Sequence, residues 1–254
     1  MTDSTMAARP LGQIVPSTEP AQPEHQTFHG RYVTLRPLKA SDADTLFPLL
    51  SGDANAWLYD YMPYGPFSAD DKQAFQSFVA EQSASTDPLF FAVVVKPFPS
   101  SASSSGDAEG QEGKALGWCS LLRITPAHRV VEVGHLLFSS LLQRTPAATE
   151  AIYLLARYVF EVLQYRRLEW KCNDLNAPSK RAAARLGFRF EGIFRKHLVV
   201  KGRNRDTAWF SIVDEEWSGG VGKALERWLG EDNFGEKGEQ KKRLEDLRAE
   251  LLAG

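Results

Sequence analysis

Cysteine is scarce in this chain: two in 254 residues, Cys119 and Cys172, each inside an apolar, strand-like run and without metal-ligand spacing. That excludes a disulfide framework and suits a reducing compartment, with both thiols reading as small core hydrophobes. Histidine is equally sparse at five, and no Cys/His cluster exists, so a metal site has no support. An excess of one charge is lacking too. Thirty Lys and Arg against thirty-two Asp and Glu leave a formal net charge of −2, so no global field recruits nucleic acid or an anionic membrane. No apolar run has the length of a membrane span, and the first residues have neither the charged nor the apolar region of a signal peptide, so a soluble, cytoplasmic protein is expected. A Walker lysine pattern and a G-x-G-x-x-G run are both missing, which weakens a nucleotide-binding regulator. No internal repeat is visible.

What is present is a good supply of apolar residues, 43% of the chain, enough for one α/β domain with extensions. Residues 1–27 are rich in Pro, Ser, Thr and Ala and read as an extended or disordered arm. Tyr32–Pro37 alternates at strand period, and Ser41 looks like an N-cap for a helix over Ala43–Leu50. An aromatic loop, Trp57 to Phe67, precedes a helix over Ala69–Ser83 capped at Ser68. Leu89–Lys96 and Ala115–Ile124 read as paired strands, and the Ser/Gly/Glu-rich residues 97–113 between them as a flexible insertion. Phe190–Val200 and Asp206–Val213 read as a hairpin whose turn is the basic run Lys201–Arg205. In the C-terminal extension, residues 221–254, one helix falls at Val221–Leu229 and another at Gly238–Leu252. The second carries a Leu244, Leu247, Leu251 stripe that docks on its own domain or, alternatively, on a second chain.

The middle of the chain carries the chemistry. A strand (Val130–Phe138) leads through Leu142-Gln-Arg-Thr-Pro-Ala-Ala-Thr-Glu-Ala151 into a helix whose apolar residues Ile152, Leu155, Val159, Val162 and Leu163 recur at helical spacing. Thr145 can cap this helix and Pro146 can open it, which leaves the amides of Ala147, Ala148 and Thr149 facing outward as a natural anion site. A plain helix cap is the competing reading. A further strand (Arg167–Cys172) is followed by Asn173-Asp-Leu-Asn-Ala-Pro-Ser179, ending in Leu-Gly-Phe188.

Gln143-Arg-Thr-Pro-Ala-Ala148 resembles the Q/R-x-x-G-x-G/A pyrophosphate loop of the GCN5-related N-acetyltransferases, the GNAT family, with Pro146 at the first glycine. Asn176, Ser179 and the closing Gly187-Phe188 are similar to that family's N-x-x-S…GF ending, and the chain most resembles the branch of ribosomal-protein alanine N-acetyltransferases. The resemblance covers about Phe28 to Trp217 and implies a domain over residues 28–220. Its fold would be a mixed, mostly antiparallel central sheet flanked by helices and splayed between the fourth and fifth strands. It implies acetyl-CoA as co-substrate, with the diphosphate on Gln143, Arg144, Thr145, Ala147, Ala148 and Thr149. The pantetheine arm would lie along Leu137 and Phe138 and reach Asn176, and Ser179 could donate to the departing sulfur.

The same resemblance makes Trp57, Tyr61 and Tyr64 candidates for the wall of the acceptor groove, against a bland reading as core packing. It makes Glu132 the candidate base, against a reading as an ion-paired sheet glutamate. Strand alternation puts Glu132 and Gly134 on one face and Val131, Val133 and His135 on the other. His135 and His197 remain candidates because an imidazole titrates near neutral pH. Proline at position 146 removes one amide donor, and Ala183 stands where many family members carry a tyrosine acid. The implied function is acetyl transfer to a primary amine, a protein N-terminus or a small molecule, by a monomer or homodimer. A non-catalytic acyl-CoA sensor is the alternative.

Overall fold

The computed structural model describes residues 9–96, 113–235 and 238–253. Eight strands form one sheet: β1 Phe28–His29, β2 Val33–Pro37, β3 Leu89–Val95, β4 Ala115–Thr125, β5 Val130–Phe138, β6 Arg167–Asn173, β7 Arg189–Val200 and β8 Arg203–Val213. Their order across the sheet is β1-β2-β3-β4-β5-β6-β8-β7. Every pairing is antiparallel except β5 with β6. A parallel pair needs a crossover, and a helix supplies it between these two strands. The helices are α1 Asp42–Leu50, α2 Lys72–Ala84, α3 Pro146–Arg157, α4 Ala177–Leu186, α5 Asp214–Glu216, α6 Gly222–Trp228 and α7 Leu244–Ala253. The two strands expected to splay are β5 and β6, one place later than in the sequence count because the two-residue β1 precedes them.

Two apolar clusters sandwich the sheet. One face packs against α3, α4, α6 and α7 through residues such as Val131, Val133, Leu155, Ala183 and Leu225. The other packs against α1 and α2 through Leu46, Phe75, Phe90, Trp118 and Leu137. The second cluster stops at β5 and contains no residue of β6, β7 or β8. Leu244 and Leu247 are buried within the first cluster and Leu251 packs against it, so the leucine stripe docks on its own domain. Apart from Gly113, the expected insertion at 97–113 lies outside the described residues. Residues 9–27 form no helix or strand, and Arg129 donates to the carbonyls of Pro16 and Thr18 where the arm crosses the start of β5.

Several local expectations change. Ser68 does not cap α2; Asp71 does, its carboxylate accepting from the Ala74 amide at 2.9 Å, and the helix starts at Lys72. Ser41 makes no side-chain cap, and Asp42 instead accepts from the Lys39 amide and from both ends of the Arg36 guanidinium. Val162 faces solvent because Tyr158–Val162 is a π-turn, which adds a residue and rotates the apolar stripe. The β7–β8 turn is only Lys201-Gly202, so Arg203 to Arg205 belong to β8.

Helix α3 is buried almost all round, and its one acid, Glu150, is buried with it. Its carboxylate accepts from the amides of Arg31, Tyr32 and Val33 at 2.7, 2.6 and 2.9 Å. This ties the β1–β2 turn to α3, and Gly30 is required there because a Cβ would collide with that carboxylate. Glu150→Ala leaves buried amides unsatisfied and should cost about 3 kcal/mol, read as a lower urea midpoint with an unchanged slope. A loss below about 0.5 kcal/mol would show that water replaces the carboxylate.

Candidate active site

β5 and β6 pair only from Val130↔Arg167 to Glu132↔Glu169. Beyond that the strands part, and the opening is a cavity of about 200 Å³. Its walls include Gly134, His135 and Leu136 of β5 and Trp170 to Asn173 of β6. Glu132, Ser179 and Tyr61 also line it, so the fork brings these three together with His135. Trp57, Tyr64, Asn176, His197 and the pair Leu137 and Phe138 are not among its lining residues.

An extra residue in β5 shapes this opening. Trp118 faces Leu137 and Ser120 faces Gly134, so two steps on β4 match three on β5, a β-bulge with His135 at φ 49°. The bulge changes the parity of the strand. His135 does not share a face with Val131 and Val133, as alternation predicts; its ring stacks on Tyr64 at 5.7 Å and lies 5.4 Å from Phe90, on the α1/α2 side with Glu132. Burial, with Arg123 and Arg205 nearby, pushes the His135 pKa down to about 4, and its buried Nδ1 has no partner among the described residues. At neutral pH the ring is therefore an uncharged imidazole facing the cleft.

Glu132 is not in apolar company. Its Oε2 lies 2.5 Å from an Arg123 nitrogen and 2.9 Å from Lys171 Nζ, which also contacts Glu169 at 2.6 Å. The side chains of Lys171 and Glu132 are only 6% and 4% exposed, and the ammonium also sits 3.9 Å from the centre of the Trp209 ring. Lys171 thus bridges the two strands where their pairing ends. The sequence carries a sign of this row in Arg167-Leu-Glu-Trp-Lys-Cys172, where charged and apolar residues alternate strictly, but Arg123 and Lys171 were not singled out. Arg205 was missed because it was assigned to the hairpin tip.

On the α4 side, Ser179 Oγ accepts from Trp170 Nε1 at 3.0 Å and is also hydrogen-bonded with the Cys172 thiol, which lines the same cleft. Burial pushes the Cys172 thiol up, so it stays protonated. Asn176 caps α4 through its side-chain oxygen, which accepts from the Ser179 amide at 3.1 Å. The aromatic loop roofs the opening: Tyr61 donates to the Leu175 carbonyl, and Lys201 at the β7–β8 tip donates to that of Tyr59. Tyr64 is held behind His135, its hydroxyl accepting from Trp118 Nε1 at 3.3 Å. His197 lies on exposed β7, paired with Thr207 at 3.0 Å.

The start of α3 has fewer spare amides than the sequence suggests. Thr145 caps as expected, but its hydroxyl takes the Ala148 amide at 3.2 Å. The Thr149 amide is the first that reaches the cap carbonyl, and Pro146 has none. Of the first four helical positions, only Ala147 keeps an amide for a ligand. Gln143 Nε2 donates to the Phe138 carbonyl at 2.8 Å, fixing the loop to the end of β5, and Arg144 takes a left-handed φ of 62°.

A model of the acetyltransferase (GNAT) domain matches residues 33–189. This chain belongs to that family. A crystal structure of a GCN5-related N-acetyltransferase from Brucella melitensis superposes with a TM-score of 0.82 at 44% identity, covering 91% of this chain and 98% of that one. The uncharacterized N-acetyltransferase p20 of Bacillus licheniformis is 26% identical over 196 residues, 76% of this chain and 99% of its own. The provisionally named ribosomal N-acetyltransferase YdaF of Bacillus subtilis (strain 168) is 25% identical over 193 residues, 74% of this chain and 94% of its own, in line with the ribosomal-protein branch. A mostly antiparallel sheet flanked by helices is the fold these relatives share.

Two outcomes test the electrostatics of the fork. Lys171→Met leaves Glu132 and Glu169 facing each other without their shared cation and should cost about 3 kcal/mol in denaturant unfolding. An unchanged midpoint would mean the buried pair is replaceable by apolar packing. His135 has a folded pKa below its unfolded value, so its stabilising contribution is present above pH 6.5 and is lost as pH falls toward about 4. Relative to His135→Leu, the native protein should lose up to about 3 kcal/mol across that window. Parallel stability curves for the two would contradict a buried, neutral ring.

Proposed function

We propose that this protein transfers the acetyl group of acetyl-CoA to a primary amine by direct attack in a ternary complex in the cytoplasm. The observation that carries the reading is the β5–β6 fork, whose cavity runs from the aromatic loop toward Ser179, with the free amide of Ala147 and the Gln143–Thr145 loop at the end of the same strand. The diphosphate would rest on that helix start and loop, and the pantetheine arm along the unpaired edge of β5 at Leu137 and Phe138, with Asn176 beside it. Ser179, already an acceptor from Trp170, would donate a hydrogen bond to the sulfur and stabilise the thiolate as the carbon–sulfur bond breaks.

The amine has to be uncharged when it attacks. Once the carbon–nitrogen bond forms, that nitrogen is far more acidic than a free ammonium, so a weakly basic, neutral imidazole suffices to take its proton. His135 fits this role, directly or through water. Glu132 is committed to Arg123 and Lys171 and serves to hold the fork. Tyr61, which lines the cavity, would border the acceptor, a small amine or a protein N-terminus.

Saturating acetyl-CoA should raise the melting temperature, as mass action requires, by about 2.7 kcal/mol of stabilisation at a hundredfold over its Kd. CoA release measured with a panel of amines should then rise with pH along the pKa of the acceptor, with no inflection near 6.5, since His135 is neutral throughout. His135→Gln should lower that curve about a hundredfold without changing its shape. An unmoved melting curve would sink the cofactor reading, and cofactor binding with no amine turned over would favour an acyl-CoA sensor.

A further inference from the structure

Arg205 is unlike the other charged groups of the fork. Arg123 and Lys171 are paired with Glu132, whereas the Arg205 side chain has no ion pair or hydrogen bond among the described residues, and its Nε is buried without an acceptor. It lines the same cavity from β8, where its charge is felt by His135 and faces Glu132 and Cys172. Burial lowers its pKa, and Glu132 offsets this only in part. An unpaired guanidinium held in a half-enclosed cleft gives up hydration without a protein partner in return, a cost that an arriving anion would relieve.

The charge balance of the cavity agrees. Its lining carries Arg123, Lys171 and Arg205 against Glu132, with Glu169 pairing Lys171 from just behind it and His135 neutral, so the excess is the single charge of Arg205. Such a cleft opposes a simple ammonium and favours an acceptor that brings a negative group with its amine. The diphosphate of a coenzyme bound at the α3 start would lie at the end of β5, so it does not supply that anion.

Building on the transferase reading, we propose that Arg205 is the acceptor's anion receptor, and that the acceptor is an amine carrying a carboxylate or phosphate near the reacting nitrogen. A guanidinium presents a planar fork that matches either group with two parallel hydrogen bonds, so it orients the acceptor as well as attracting it. The positive surroundings also favour the neutral form of the amine, the form that attacks.

The test uses full-length protein, acetyl-CoA and matched amines: β-alanine against β-alaninamide, and O-phosphoethanolamine against ethanolamine. Wild type should prefer the more anionic member of at least one pair by tenfold or more in kcat/KM, with the pair that responds telling carboxylate from phosphate. Arg205→Met should erase that preference through KM while the acetyl-CoA Kd stays unchanged, and Arg205→Lys should restore part of it. An equal fall in kcat for both members would overturn the proposal in favour of a role at the leaving sulfur, and a raised acetyl-CoA Kd would assign Arg205 to the cofactor. Calorimetric binding of the same pairs separates this proposal from the transferase reading. If no amine is acetylated, the transferase reading fails, and the anion receptor then stands only if the anionic member binds wild type at least tenfold tighter than Arg205→Met.

Discussion

The site depends on one interruption, the point after Glu132 and Glu169 where two parallel strands stop pairing. An interrupted ladder exposes backbone donors and acceptors that the sheet would otherwise satisfy, so the fork has to be held from both sides. Lys171 does this by reaching across from β6 to Glu132 of β5 while keeping Glu169, and Arg123 closes the arrangement from β4. Burying these charges is costly, and their stabilising effect depends on every member being present. A glutamate so engaged is held by two cations, whereas the imidazole one bulge further along is uncharged and has a buried nitrogen without a partner among the described residues.

The β5 bulge is the second constraint. Were β5 regular, His135 would join Val131 and Val133 on the face packed against α3, and Leu137 would turn away from Trp118. One added residue with a left-handed φ moves the imidazole to the cleft and keeps Leu137 in the α1/α2 cluster. The cost of a positive φ at a histidine is of the order of 1 kcal/mol, and it is borne where Tyr64 and Phe90 hold the ring in place.

These two features mark the limit of what was legible in the sequence. Long periodic segments read correctly: seven of the strands and α3 fall within a few residues of their expected places, because apolar periodicity reports burial directly. The GNAT resemblance singles out the Thr145 helix start and Ser179, and the structure has the first at the end of β5 and the second in the fork. A bulge leaves no mark in an alternating pattern, so His135 was put on the wrong face. Ion pairs join residues far apart in the chain, so Lys171 meeting Glu132 could not be read from either strand alone. Arg205 was hidden by turn chemistry: Lys-Gly closes a two-residue turn, and counting the whole basic run as turn took a cleft residue for a solvated one.

The proline at position 146 shifts weight from the helix dipole to the geometry of α3. With only the Ala147 amide free in the first turn, the anchoring of a diphosphate there would rely on where the helix is held as much as on how many donors it offers. That position is unusually well fixed. Glu150 gathers three amides of the β1–β2 turn, and Arg185 of α4 donates to Thr149 while its own carbonyl accepts from Arg248 of α7. The helix start and the serine on α4 therefore belong to one rigid body. A cofactor gripped weakly at its diphosphate would still present its thioester at a set distance from Ser179, because positioning of reacting groups depends on the stiffness of the frame between the two contacts rather than on the strength of either.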